Sequence, residues 1–219
     1  MLDFNNLPAQ DKIYYRDESV VIYCADCRLV LPLFPDKSFD LVLTDPPYPD
    51  YYTEEYKFDV DLIRILQKYT CRQFIFWSSR TDYPLTYSAI HIWDKQNGIG
   101  TGYERLYEVN GSTAFKVFNH YRHNNELSAR WCDDHHYDHP SQKPIKLIRE
   151  ILSMADFTIV LDPFLGSGTT AVAAKILGRQ CIGIEIEPKY CEIAAKRCSQ
   201  SVMQLDIPTE SVEYQGRLE

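Results

Sequence analysis

FTIVLDPFLGSGTTAVAAKILG, residues 157–178, is the stretch that decides the fold. Its opening FTIVLD is apolar and β-branched and reads as a buried strand. Pro163, Gly166 and Gly168 interrupt it, and TTAVAAKILG from Thr169 reads as a helix that Gly178 ends. A strand that delivers a short glycine loop into a helix is the building unit of an α/β sheet. Ligands of such sheets bind outside the carboxyl ends of the strands. Downstream, QCIGIEI (180–186) is the next strand, and PKYCEIAAKRC (188–198) is a helix with Pro188 in its first turn. Upstream, KPIKLIREILSM (143–154) is a helix with Ile145, Ile148, Ile151 and Leu152 on one face.

The amino-terminal half repeats the alternation. SVVIYCAD (19–26) is a buried strand ending on Asp26, CRLVLPLF a short helix or turn, and SFDLVL (38–43) a second buried strand. EEYKFDVDLIRILQKY (54–69) has Phe58, Leu62, Ile65, Leu66 and Tyr69 at helical spacing and leads into the strand QFIFW (73–77). Between Ser78 and His139 the pattern weakens, with Gly98, Gly100, Gly102 and Gly111 separating strand-like pieces such as YERLYEV and TAFKVF. Trp77 and Trp93 are expected in the core, and the tail after Ser199 has no clear period. Strands alternating with helices imply a mostly parallel sheet.

A chain of 219 residues is long enough for one α/β core with a small insertion. Its 45% hydrophobic and 25% charged content is that of an ordinary globular protein. The start MLDFNNLPAQDK lacks the basic and apolar regions of a secretory signal, and no apolar run approaches the roughly 20 residues of a membrane span. Seven cysteines, an odd number, suggest reduced thiols and a cytoplasmic setting. The net charge of −8 argues against a surface built throughout for nucleic acid. Yet residues 94–150 hold eight Lys/Arg against eight Asp/Glu, with five of the six histidines, so a local groove is compatible with the charge.

Two loops carry the chemistry. In LTDPPYPDYY (43–52) the prolines cannot continue the strand before them, so Asp45, Pro46, Pro47 and Tyr48 form a rigid loop at its carboxyl end. In LDPFLGSGTT (161–170), Gly166 and Gly168 remove side chains where a ligand comes close, and free amides at the helix start can receive an anion. This is neither a phosphate P-loop, since no Gly-Lys-Ser/Thr follows, nor the dinucleotide fingerprint, since the third glycine is missing. Glu185, after the next strand, is placed like the acid that binds ribose hydroxyls. An anion-receiving loop plus a ribose acid suits a nucleoside carrying an amino acid, as in S-adenosylmethionine.

LVLTDPPY, HPSQKPIKLIREIL and VLDPFLGSGTTAVAAKILGRQCIGIEIEPKYCEIAAKR, in that order, closely resemble the β-class DNA amino-methyltransferases, over residues 19–78 and 139–198. The resemblance implies a Rossmann-like, S-adenosylmethionine-dependent methyltransferase fold with permuted motif order, the catalytic loop preceding the cofactor loop. It implies halves at 1–77 and 139–199, a short target-recognition insertion at 78–138 and a tail at 200–219. It further implies that Asp162, Phe164, Gly166, Ser167, Gly168 and Thr169 cradle the methionine part of the cofactor. Glu185 would hold the ribose, Asp26 meet the adenine amine, and Lys143 and Pro144 cross the methionine end. Asp45, Pro46, Pro47 and Tyr48 would be the catalytic loop, with Asp45 also beside the cofactor.

The residue types suit that chemistry. An exocyclic base amine is a poor nucleophile because its lone pair is conjugated into the ring. Asp45 and the Pro46 carbonyl can accept its hydrogens and aim the nitrogen at a sulfonium methyl. The base must leave the duplex, and Tyr48 offers a face to stack it. No Pro-Cys pair is present for attack at a ring carbon. Arg105, Lys116, Arg122, His123 and Arg130 are the candidate DNA contacts, with solvated surface charge as the competing reading.

Asp at the head of the catalytic loop favours adenine as acceptor; cytosine, RNA, or a degenerate binding module remain alternatives. DNA is the expected partner, a homodimer is left open, and no membrane is expected. Cys24 and Cys27, with Cys132 and His135, have zinc-like spacing, but packing of small cysteines at a strand end is favoured and no metal is expected.

Overall fold

The computed structural model describes residues 2–4, 6–49, 59–96, 102–121 and 142–200. Nine strands lie in one sheet among these residues. They are β1 Ile13–Arg16, β2 Val20–Cys24, β3 Leu41–Thr44, β4 Arg72–Trp77, β5 Ala89–Asp94, β6 Tyr103–Val109, β7 Val117–Asn119, β8 Ile159–Asp162 and β9 Gln180–Glu185. The spatial order is β1-β2-β9-β8-β3-β4-β6-β5-β7. The run from β2 to β4 is parallel throughout. β1 and β6 pair antiparallel to its two edges.

The helices are α1 Cys27–Val30, α2 Asp61–Arg64, α3 Ile145–Leu152, α4 Thr169–Ile176 and α5 Pro188–Gln200. Alternate strand residues feed two cores. Val20, Ile22, Leu41, Leu43, Phe74 and Phe76 pack with α3, α4 and α5 on one face. Val21, Tyr23, Val42, Ile75, Trp77 and Leu161 pack with Leu31, Phe34, Ile63 and Tyr69 on the other. Burial on both faces explains why these strands read as unbroken apolar runs.

Most expected elements are present. β2, β3, β4, β8, β9 and α3–α5 fall where the sequence puts them, and Trp77 and Trp93 are buried. Helix α3 buries Leu147 with Ile148, Ile151 and Leu152, whereas Ile145 is only partly buried. The helix expected over 54–69 is, in its described part, a single turn of α2 continued by a 3-10 turn at Ile65–Lys68. Its buried face is Ile63, Leu66 and Tyr69, the spacing of three that 3-10 geometry brings into line. Leu62 and Ile65, assigned to that face at helical spacing, are not fully buried.

Ser78–Asp138, in its described part, supplies β5, β6 and β7 to the same sheet. Strand β8 connects through α4 to β9 on one side, whereas β3 connects through α2 to β4 on the other. The strand order therefore reverses between β8 and β3, which is where an open α/β sheet forms its ligand crevice.

Candidate active site

Because β3 and β8 are parallel neighbours, their carboxyl ends place the Asp45 and Asp162 loops side by side. Thr44, buried at the end of β3, donates its hydroxyl to Asp162 Oδ1 over 2.9 Å. The Phe164 amide donates to the same oxygen at 3.1 Å. Burial pushes Asp162 up to about 6, against the opposing hydrogen bonds of Thr170, Thr44 and Phe164.

Asp45 is held from two sides. The Tyr48 hydroxyl donates to its Oδ1 and the Lys143 ammonium to its Oδ2. Tyr48 in turn packs against buried Trp77, with ring centroids 5.5 Å apart at 64°. Lys143, two residues before α3, also reaches Glu104 Oε2 at 3.2 Å, and Lys95 reaches Glu104 Oε1 at 2.7 Å. The Lys143 ammonium stands 4.9 Å from the Phe76 ring centre and 5.6 Å from that of Trp93. Burial raises the Asp45 carboxyl above the ordinary carboxylate range; Lys143 opposes this and the charge of Glu104 adds to it. Burial would lower Lys143, but the two carboxylates outweigh it and raise its proton affinity. Glu104 is lowered, because its two lysines outweigh its burial.

The glycine loop is pinned to β9 and α5. The Leu165 amide donates to the Ile184 carbonyl at 2.9 Å, and the Gly166 amide to Glu185 Oε2 at 2.7 Å. Buried Arg197 of α5 donates to the Ser167 carbonyl at 2.8 Å and to the Ser167 and Thr169 hydroxyls at 3.1 Å. Gly168 has φ +86°, and a Cβ there would lie 2.7 Å from Ala194 Cβ and 2.9 Å from Ala194 Cα. This glycine is required by the close approach of α5.

Together the loops enclose a cavity of about 300 Å³. Its walls include Asp45, Pro46, Pro47, Tyr48, Lys143, Asp162, Phe164, Gly166, Ser167 and Thr169, all read as site residues from the sequence. Asp26, Pro144, Gly168 and Glu185 do not line it. Asp26 instead caps α1, accepting the Arg28 amide at 2.8 Å. Its carboxylate also takes the Arg28 guanidinium at 3.0 and 2.5 Å, which lowers its proton affinity. Pro144 is the residue before the first turn of α3. Glu185 accepts amides from Gly166 and Glu187, and burial raises its carboxyl against them.

Of the basic candidates, Arg105 donates to Tyr107, Thr81 and Asp82 at 3.3–3.4 Å, and Lys116 pairs with Glu150 at 2.9 Å. Arg122, His123 and Arg130 lie outside the described residues, as do Cys132 and His135. Cys27 is buried and Cys24 partly buried, and no group of three potential ligands gathers around a metal position among the described residues. No helix there is long and apolar enough to cross a membrane.

Four residues that hold the site together escaped the sequence reading: Thr44, Lys95, Glu104 and Arg197. Thr44 lies 118 positions from the Asp162 it bonds, and Arg197 lies 30 from Ser167, so neither contact leaves a local pattern. Glu104 is the second residue of YERLYEV, where an acid looks like the solvent side of a strand.

Known proteins resemble this chain in sequence and in fold. The family described as DNA methylase, of the N6/N4 type, matches residues 49–196. The type II methyltransferase M2.DpnII of Streptococcus pneumoniae is 52% identical over 61 residues, 27% of this chain and 23% of that relative's own length. A solved complex of M1.HpyAVI with SAM is 25% identical, with a TM-score of 0.57 over 81% of this chain and 99% of that one. The cytosine-N4-specific PvuII DNA methyltransferase, at 17% identity and a TM-score of 0.64 over 85% of this chain and 88% of that one, shares the fold. With the match running from just past Tyr48 into α5, this chain belongs to the DNA methylase family.

Proposed function

We propose that the chain transfers a methyl group from S-adenosylmethionine to the exocyclic amine of adenine in DNA. The observation that carries this reading is the meeting of the Asp45-Pro-Pro-Tyr48 loop and the Asp162–Thr170 glycine loop on one cavity at the switch point of the sheet. The residues fit such a cofactor, since the carboxylates of Asp45 and Asp162 both wall the cavity and suit a ligand bearing a sulfonium and an ammonium. When bound, the cofactor supplies an electrophilic methyl.

The chain's own groups do the rest. Asp45 and the Pro46 carbonyl accept hydrogen bonds from the amine and draw its nitrogen towards a tetrahedral form. Pro46 and Pro47 keep that carbonyl stiff. Tyr48, fixed between Asp45 and Trp77, is the aromatic against which an extruded base stacks. Asp162, Phe164, Gly166, Ser167 and Thr169 hold the amino-acid arm. Gly168 shapes the loop from behind, and Glu185 and Asp26 extend the binding surface along β9 and β2.

In this reading residues 1–77 and 139–199 are the two halves of the catalytic unit, and 78–138 recognises the target. Arg105, Lys116, Arg122, His123 and Arg130 contact phosphate, the first two exchanging Asp82 and Glu150 for it. Asp at the head of the loop favours adenine over cytosine. The reaction belongs in a reducing cytoplasm, where thiols such as buried Cys27, Cys181 and Cys191 stay reduced.

The test is incubation with methyl-labelled S-adenosylmethionine and, in separate arms, duplex DNA or RNA, followed by digestion to nucleosides and identification by mass. Label in N6-methyldeoxyadenosine supports the reading. Label in a cytidine moves the acceptor base, label found only in RNA moves the substrate, and no transfer to any nucleic acid refutes it.

A further inference from the structure

We propose that Glu104 and Lys95 are positioning residues for Asp45, acting through Lys143, and so make the β5–β6 extension of the sheet part of the catalytic centre. The proposal rests on the methyl-transfer reading for its chemistry but not for its geometry.

Four charged side chains from four places in the chain stand in a row. Asp45 follows β3, Lys143 precedes α3, Glu104 lies on β6 and Lys95 follows β5. The side chains of Lys95, Lys143 and Glu104 are only 5%, 8% and 13% exposed. Each ion withdrawn from water costs several kcal/mol before pairing, and well-packed apolar residues would serve stability as well or better. A buried row that alternates in sign and ends on the carboxylate of the reaction loop has a use in the reaction.

That use follows from sharing. A carboxylate alone with a buried ammonium would be ionised but a weak base. Here Glu104 draws on the same ammonium, and Lys95 anchors Glu104 in place. Lys143 therefore orients Asp45 without removing its basicity. Once the acceptor nitrogen has gained its methyl it carries a positive charge and must lose one proton. The N–H bond breaks, its electron pair stays on nitrogen, and an Asp45 oxygen takes the proton, which passes to water as product leaves. The groups that bear on Asp45 are Tyr48 from its own loop, Lys143, Glu104 and, across the cavity, Asp162. Of these, Glu104 raises its proton affinity, and Lys143 and Tyr48 lower it.

The experiment follows the Asp45 carboxyl by carbon-13 NMR titration in the ligand-free full chain, for wild type, E104Q, K95M and the double variant. In E104Q the whole charge of Lys143 falls on Asp45, and its midpoint should move to lower pH. In K95M Glu104 leans harder on Lys143, and the Asp45 midpoint should move to higher pH. The double variant should follow E104Q; having lost one charge of each sign, it carries the test if E104Q alone does not fold. In methylation assays E104Q should lose roughly tenfold or more in kcat, and K95M, whose side chain does not line the cavity, should keep S-adenosylmethionine affinity by calorimetry close to wild type. Midpoints that stay put, or that move the same way in E104Q and K95M, overturn the proposal, as does an E104Q kcat equal to wild type. Since the titration uses neither cofactor nor DNA, its failure is distinct from failure of the methyl-transfer reading, which would show as wild-type chain yielding no methylated nucleoside.

Discussion

Replacing Gly168 by alanine separates two explanations of the glycine loop. If the glycine exists to admit a ligand, alanine should spare the empty protein and harm binding. The structure requires the opposite order of effects. At φ +86° a residue with a Cβ is strained by about 1–2 kcal/mol. The added Cβ also meets Ala194 Cβ at 2.7 Å and Ala194 Cα at 2.9 Å, the second of which is backbone of a buried helix face. Overpacking of that kind costs about 1–3 kcal/mol, for a total of about 2–5 kcal/mol. In a chain of this size each kcal/mol lowers the melting temperature by about 2–4 °C, so a fall of about 4–20 °C is expected. Thermal melts of the ligand-free protein, followed by circular dichroism, measure it. A second substitution, Ala194→Gly, removes one of the two contacts, so the double variant should lose less than the two single losses combined. A melting temperature for Gly168→Ala within about 2 °C of wild type, with cofactor affinity alone reduced, would refute the packing explanation.

Asp45→Ala should leave cofactor affinity nearly intact by calorimetry and cost at least about 100-fold in kcat, because Glu104 remains to neutralise Lys143 and only the acceptor of the amine hydrogens is lost; turnover within tenfold or so of wild type would remove Asp45 from its role. Asp162 binds its proton more tightly when folded, at about 6 against an ordinary 3.8, so its stabilising contribution is complete below about pH 4 and lost as pH rises through about 6. Asp162→Asn should therefore gain up to about 3 kcal/mol on wild type between pH 4 and pH 8, and parallel curves of melting temperature against pH would contradict the burial. On DNA, the neutral balance of residues 94–150 in a chain of charge −8 allows few phosphate contacts, so affinity should be modest and fall by only about 10- to 50-fold between about 50 and 200 mM salt. Duplexes with a single adenine should accept methyl and cytosine-only duplexes should not; the reverse would move the acceptor base.

The parallel half of the fold was legible because burial on both faces writes itself into composition. Val20–Tyr23, Leu41–Leu43 and Ile159–Leu161 are apolar at every position, and each is buried at every position. The strands β1 and β5 show what such reading misses. Ile13–Arg16 lies on the sheet edge with alternating partial exposure, and Ala89–Asp94 buries only His91 and Trp93 fully. In strands so short, two buried residues separated by a half-exposed isoleucine do not stand out as a pattern. The helix before β4 failed differently. Apolar residues are dense enough over 58–69 to fit a period of 3.6, yet the described chain tightens into a 3-10 turn whose buried positions fall three apart. Position-by-position polarity cannot separate those periods over two turns.

The candidate site divides along the same line. Residues whose role depends on their own loop (Asp45, Pro46, Pro47, Tyr48, Asp162, Phe164) were legible, because proline and glycine at a strand end leave few conformations and those fix where the neighbours go. Residues whose role depends on a partner far along the chain were not. Lys143 was placed near the cofactor by position, but its ammonium is held by Asp45 and Glu104, 98 and 39 positions earlier. Only the sheet order, with β6 set antiparallel beside β4, brings Glu104 over the end of β3. An acid in that strand is indistinguishable in sequence from a solvated one, and its burial becomes affordable only when both lysines arrive with it. The Asp45–Tyr48 loop is thus specified locally, while the charged groups set against its aspartate are brought there by topology. Substitutions in 43–48 should therefore act on the acceptor directly, whereas substitutions at Glu104, on the cavity wall, or at Lys95, behind it, should act on the basicity of Asp45.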